Sequence, residues 1–325
     1  MTSSFPVTSA PSPRFCISRY RLLAWWGSGL ACLFSVVGLL LCWLNPAIGS
    51  PLKPGLDFTG GTQIQIERRC TTVSCGAITA PQVQQFLAEL NLPAQEGEEL
   101  PRLGGTTVQL LDQGRSLLMR LPALTAAQSN TVIQAVSAVA GPLEPSGTEV
   151  NTIGPTLGSQ LLKGSVISLL VSFVAIALYI TVRYDQVFAF LALVCLGHDV
   201  LITCGVFAWL GLVAGIEVDS LFAVSLVTVA GYSVTDTVVV FDRIREQKIN
   251  LGHLSIQQQV DVAVDATLTR SLYTSLTTLL PLLGLIFFGG ASLFWFSVAL
   301  AIGIAVGSWS SIGVAPTLLP LFSRR

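Results

Sequence analysis

Six apolar runs, each near the roughly 20 residues that cross a bilayer, organise this chain: Arg21–Leu44, Gln160–Val182, Val187–Val213, Asp219–Phe241, Ser271–Phe288 and Ser292–Leu321. Each predicts a transmembrane helix. Between the first two runs lies a polar stretch, residues 45–158, with a different rhythm. Thr59–Arg69 alternates as a strand, and Thr79–Leu90 has helical period behind Thr-Ala-Pro. Thr106–Leu111 and Ser116–Leu121 read as strands joined by Asp-Gln-Gly, a hairpin signal. Thr125–Val139 predicts a second amphipathic helix capped by Thr125, and Glu149–Ile153 a closing strand. The order β-α-β-β-α-β is that of the ferredoxin-like split βαβ unit. The expected fold is a polytopic α-helical membrane protein with an α+β ferredoxin-like extracytoplasmic domain between its first two spans.

The Ser/Pro-rich residues 1–20 read as a tail, 21–44 as the first span, and 159–325 as spans two to six, with a polar loop at 242–269. The first run exceeds a signal peptide's apolar region and has no clear small-residue cleavage site, so it reads as an uncleaved span. Short gatherings of basic residues set the orientation. Arg14, Arg19 and Arg21, then Arg183, then Arg243, Arg245 and Lys248, and finally Arg324 and Arg325 all fall on one side of a six-span chain. The opposite short loops, GIEVD and FGGA, carry none. Both termini and the 242–269 loop are therefore expected in the cytoplasm. A bacterial inner (plasma) membrane and an internal one such as a thylakoid both remain open.

Composition narrows the function. The chain is 52% hydrophobic and 11% charged, against about 25% charged in soluble domains, and its mean hydropathy is +0.70. A net charge of −1 argues against nucleic acid as a partner. Two histidines and two methionines leave little material for a metal site. Neither a P-loop nor a Ser-His-Asp or H-E-x-x-H arrangement occurs, so neither ATP use nor enzymatic chemistry is expected. Cys32, Cys42, Cys195 and Cys204 lie in spans and read as small apolar residues. Cys70 and Cys75 flank the polar CTTVSC segment; two unrelated thiols and a small-loop disulfide are both open.

The candidate chemistry sits in the membrane. Asp236 interrupts the fourth run, one or two turns from its expected cytoplasmic end. A charge there costs at least roughly 2.5–3.5 kcal/mol, so such residues face a bundle interior and carry function. Thr228, Tyr232 and Thr235 recur with Asp236 at helical spacing, a polar stripe. Arg270, at the head of the fifth run, begins a second stripe with Thr274, Thr277 and Thr278. Two such stripes on consecutive antiparallel helices are expected to be buried against each other. Desolvation favours the protonated carboxyl and a nearby guanidinium favours the carboxylate. A moving Arg270 would therefore switch Asp236 between capturing and releasing a proton; a packing salt bridge is the plainer reading. Asp199 in the third run is either a polar anchor or part of a proton pathway, with Thr203 and Cys195 on its face and His198 pointing elsewhere. Small residues, Gly303, Gly307 and Ser311 and likewise Gly164, Ser168 and Ser172, predict close helix packing.

Four motifs in order, GLDFTGGT (Gly55, Asp57, Phe58, Gly60, Gly61), HDV at His198, GYSVTDTVVVFDRIRE (through Asp242, Arg243 and Arg245) and TRSLYTSLTTLLPLL, resemble the SecF side of the SecD/SecF protein-export family, a branch of the RND superfamily. The resemblance covers nearly the whole chain. It implies pairing with SecD, association with the SecYEG channel, and use of the proton motive force to draw preproteins across the membrane after SecA has driven their entry; YidC is a further implied partner. Protons would be the coupling ion, with no other cofactor, and Asp236 and Arg270 the functional ionisable pair. Family members often carry Asn where Thr235 stands and Ser where Thr237 stands; both threonines keep a hydrogen-bonding side chain. An RND-like half moving a lipid or small molecule remains the alternative. One half without an internal repeat needs a partner chain on either reading.

Overall fold

The computed structural model describes residues 13–70, 78–92, 103–111 and 114–322. The chain divides into two compact units, Pro54–Gly164 and the remainder on either side of it.

In the first unit a short helix α2 (Leu56–Thr59) leads into β1 (Gly61–Arg68), α3 (Ala80–Glu89), β2 (Thr107–Leu111), β3 (Ser116–Leu121), α4 (Ala126–Ala140) and β4 (Leu143–Ile153). The sheet order is β2-β3-β1-β4, with every pairing antiparallel. This is the ferredoxin-like arrangement. Alternation along β1 sends Thr62, Ile64 and Ile66 inward. There the two isoleucines meet Leu117 and Met119 of β3 and Val83, Leu87, Val132 and Val136 of the helices. Both helices begin with capping boxes, Thr79 with Gln82 and Thr125 with Gln128, each satisfying two orphan backbone donors.

β4 starts at Leu143, well before the expected Glu149, because a register shift between Gln65 and Glu67 of β1 carries the pairing past Pro145 and Gly147. The Gly60–Gly61 passage into β1 needs glycine. Both residues have positive φ, 71° and 132°, and a Cβ on Gly61 would lie 2.7 Å from the Leu121 carbonyl oxygen. Cys70 is disulfide-bonded. Its suggested partner Cys75 lies outside the described residues, as do Asp112 and Gln113 of the hairpin signal.

The second unit contains α1 (Arg21–Leu44), most of α5 (Pro155–Arg183), α6 (Gln186–Ala214), α7 (Ser220–Asn250), α8 (Ile256–Phe288), α9 (Gly290–Trp309) and α10 (Ala315–Phe322). Among the described residues six helices, counting α9 and α10 as one, are long and apolar enough to cross a membrane. The bundle is built on α6, α7 and α9, where glycines admit neighbouring chains: Gly205 faces Ser35, Gly303 faces Val229 and Gly307 faces Ser233. At the edge of the bundle, only 6% of the apolar window of α5 is buried within this chain, against 56% for α6. Gly164 and Ser168 are accordingly exposed, so the close packing expected of that stripe does not occur inside this chain.

The 242–269 segment is not a loop. The α7 helix continues to Asn250, α8 begins at Ile256 behind a Ser255–Gln258 capping box, and only a turn separates them. Val260, Ala263 and Val264 form a buried apolar face there, a helical period that the charged residues around them obscure. On the same stretch, Asp261 accepts hydrogen bonds from the Ser18 amide and hydroxyl (2.9 and 2.8 Å), and Asp265 from the Phe15 amide (3.0 Å). The last span is also irregular. Residues Ser310–Val314 form a π-helical turn between α9 and α10. Pro316 lacks the N–H that would bond the Ile312 carbonyl, which favours the wider turn.

Candidate functional site

The π turn matters because it sets two consecutive serines against two different carboxylates. The Ser311 hydroxyl donates to Asp236 Oδ2 (2.5 Å), and the Ser310 hydroxyl to Asp199 Oδ2 (2.8 Å). Asp236, on α7, is 8% exposed and takes a second hydrogen bond from Ser271 of α8, at 2.9 Å. Among the described residues it has no ion pair within 4.0 Å. Instead it lines a small depression with Tyr232, Thr235, Val239, Arg270 and Thr274. Arg270 is exposed and is likewise not engaged in an ion pair among the described residues. Asp236 and Arg270 therefore line one cleft without forming an ion pair. Since α8 starts at Ile256, Arg270 stands within its helix rather than at its head, and Asp236 lies mid-way along α7 rather than near its end.

The two threonine stripes are not buried against each other. Thr228, Thr235, Thr274 and Thr277 are exposed, and with Thr278 they donate to carbonyls of their own helices at 2.6–2.9 Å. Such local bonding satisfies a hydroxyl on an apolar face without any interhelical partner. Only Tyr232 reaches across, donating to Ser275 at 3.0 Å, and Ser275 in turn bonds Ser308. The polar seam inside the bundle is made of serines: Ser233, Ser271, Ser275, Ser308, Ser310 and Ser311, all at most 8% exposed. Ser311 was expected only to pack. The signal that was available is that Ser233 precedes Asp236 by one turn and that SWSS ends α9.

Asp199 of α6 has no exposed surface. Its carboxylate accepts from Ser233 of α7 and from Ser310, and Oδ1 lies 2.8 Å from His198 Nδ1. His198 therefore turns toward its neighbour rather than away from it. Thr203 bonds the Asp199 backbone carbonyl, and Cys195 Sγ approaches the Ser310 carbonyl, so neither touches the carboxylate. Cys195 and Cys42 are buried and Cys32 and Cys204 half-buried, all as free thiols.

The Asp242–Glu246 segment continues α7 beyond the apolar run, with Ile244 still buried in the core. Arg243 pairs with Glu246 at 2.6 Å, and Arg245 lies 3.9 Å from Asp242. Tyr184, between α5 and α6, lies under the Arg183 and Arg245 guanidinium groups. Burial and the Asp242 carboxylate, to which it is hydrogen-bonded, push its phenol up to about 12. Gly55 caps α2, which carries Asp57 and Phe58, and Gly60 and Gly61 make the turn described above. These motif residues therefore build local structure in their own unit. No group of His, Cys, Asp and Glu suited to a metal ion occurs among the described residues.

Residues 132–325 match the family model described as protein export membrane protein SecD/SecF, C-terminal, and residues 48–72 match the SecD/SecF GG motif. The SecF protein translocase subunit of Prochlorococcus marinus is 52% identical over 94% of this chain and 95% of its own. That of a Synechocystis species is 40% identical over 92% and 91%. The crystal structure of SecDF from Thermus thermophilus, titled a translocon-associated membrane protein, superposes with a TM-score of 0.78 at 28% identity. The match takes in 97% of this chain and 39% of that longer one. The chain belongs to the SecD/SecF family of protein-export membrane proteins, on its SecF side.

Proposed function

We propose that this chain is the SecF-type subunit of a Sec export machine and that Asp236 is where the proton motive force acts on it. Asp236 carries the reading. It is a buried carboxylate held by two hydroxyls, with no ion pair among the described residues, and it lines one cleft with an exposed arginine. Ser311 suits either protonation state, because its hydroxyl lies 2.5 Å from Asp236 Oδ2 and 3.1 Å from the Ser308 carbonyl. It donates to the carboxylate when Asp236 is charged. When Asp236 is protonated it can accept the carboxyl proton and turn its own to the carbonyl. Approach of Arg270 favours proton release, and its withdrawal favours capture.

One proton crossing 100 mV releases about 2.3 kcal/mol, enough to bias a two-state equilibrium by about fiftyfold. The partner is a SecD-type half, consistent with the exposed threonine faces of α7 and α8 and with the longer SecDF chain that this one matches in part. SecYEG, SecA, YidC and the translocating preprotein are the further partners of this reading. Both termini would be cytoplasmic in a bacterial inner membrane, with protons the only coupling ligand and no enzymatic step. The test is gradient-dependent completion of preprotein export in inverted vesicles. With Asp236→Asn, stimulation by the gradient is lost while the chain still co-purifies with its SecD partner; normal stimulation overturns the assignment.

A further inference from the structure

Asp199 repeats the design of Asp236, one helix deeper. Each carboxylate is held by hydroxyls from two other elements, and each has one serine that can turn to its own helix instead. Ser310 Oγ lies 2.8 Å from Asp199 Oδ2 and 3.1 Å from the Gly307 carbonyl, as Ser311 does between Asp236 and Ser308. The difference is the cation within reach. Among the described residues no arginine or lysine pairs with Asp199; its one possible counter-charge is His198, whose Nδ1 lies 2.8 Å away. The His198 ring is 8% exposed, and its Nε2 is buried with no hydrogen-bond partner among the described residues. A wholly buried, unneutralised carboxylate is costly. A proton on the His198–Asp199 pair removes the net charge, as imidazolium beside carboxylate.

We propose that His198 and Asp199 form a second proton-binding site, coupled to Asp236 through Ser233, Ser310 and Ser311. The inference rests on the reading of Asp236 as a proton site. Its physical route is short. Ser233 lies one turn before Asp236 on α7 and donates to Asp199. Ser310 and Ser311 are neighbours in the π turn, so a change in one hydroxyl's partner is felt by the other. Among the described residues, the other titratable side chains shown to sense the Asp199 charge are Cys32 of α1 and Cys195 of α6. Neither carries a positive charge, so neither can neutralise it. With Asp236 charged, a proton on the pair is favoured; with Asp236 protonated, it is less so. The two sites therefore titrate as a coupled unit and tend to hold one proton between them.

The chain has two histidines, His198 and His253, which makes the test direct. The full chain, labelled with 15N-histidine, carrying His253→Gln and assembled with its unlabelled SecD partner in lipid nanodiscs, is followed by NMR against pH. The His198 ring is expected to gain and lose a proton within the pH range that the assembled complex tolerates. At a pH within that range, Asp236→Asn lowers the imidazolium fraction by roughly threefold or more, and Arg270→Gln, which leaves Asp236 protonated, lowers it in the same direction. A His198 ring that stays in one neutral tautomer throughout overturns the proposal, as does a titration that neither variant moves. The export assay separates the two readings. If Asp236→Asn loses gradient stimulation while His198 does not titrate, only the second site fails. If export is normal while His198 titrates and responds, the second site stands and Asp236 loses its assigned role.

Discussion

Asp199 and Asp236 lie on adjacent helices and bond adjacent serines, yet their surroundings differ in the one respect that decides what a carboxylate can do. Asp199 is sealed, with donors from α7, from the π turn and from its own helix, and has no exposed surface. Asp236 has two donors and opens into a cleft that contains an arginine. On the proposed reading the sealed site holds a proton, and among the described residues no arginine or lysine pairs with it to expel that proton. The open site has an arginine in its cleft. On that reading, access and an unengaged counter-charge mark the residue that a gradient acts on, and burial alone does not.

The largest effects fall on the open side. Asp236→Asn should remove essentially all gradient stimulation of export, and Arg270→Met should do nearly the same, since without the cation nothing drives proton release. Export assays in vesicles check both, and normal stimulation with Arg270→Met would make the arginine structural. On the sealed side the expected effect is on stability. Asp199→Ala orphans the Ser233 hydroxyl and His198 Nδ1, costing about 1–3 kcal/mol for each buried group left unsatisfied. Ser310 loses less, because the Gly307 carbonyl is within reach. Thermal unfolding in detergent should show a clear drop for Asp199→Ala and a smaller one for Asp236→Ala; the reverse order would break the contrast between sealed and open. Smallest of all, Thr235→Val and Thr277→Val should shift stability by no more than about 0.5 kcal/mol. Their hydroxyls bond only their own helices. A strong export defect in either would place those faces in the mechanism, as surfaces against a partner chain.

Sequence periodicity shows much of this. Six apolar runs and the β-α-β-β-α-β order are visible because burial imposes period 3.6 on helices and 2 on strands. Asp236 and Arg270 stand out because ionisable residues in apolar runs are rare. The ends of α7 and α8 that meet at the turn between them are hidden from a hydropathy reading, since an amphipathic helix dense in Arg, Asp and Gln resembles a loop. The serine seam is hidden for another reason. Serine is small, neutral and common in packed membrane helices, so nothing in SWSS says which hydroxyls meet a carboxylate. That follows from the π turn, which depends on tertiary packing as well as on Pro316. The threonines mislead in the opposite direction: their spacing marks a face correctly, but that face points out of this chain.

The central claim is that Asp236 exchanges a proton under the control of Arg270. The most direct measurement is the isotope-edited infrared signature of the Asp236 carboxyl, taken as wild type minus Asp236→Asn, against pH in the assembled membrane complex. A protonated carboxyl band that disappears as pH rises across the range the complex tolerates, and persists to higher pH in Arg270→Met, is the predicted result. A carboxyl that holds one protonation state across that range, or a titration that Arg270→Met leaves in place, would contradict it.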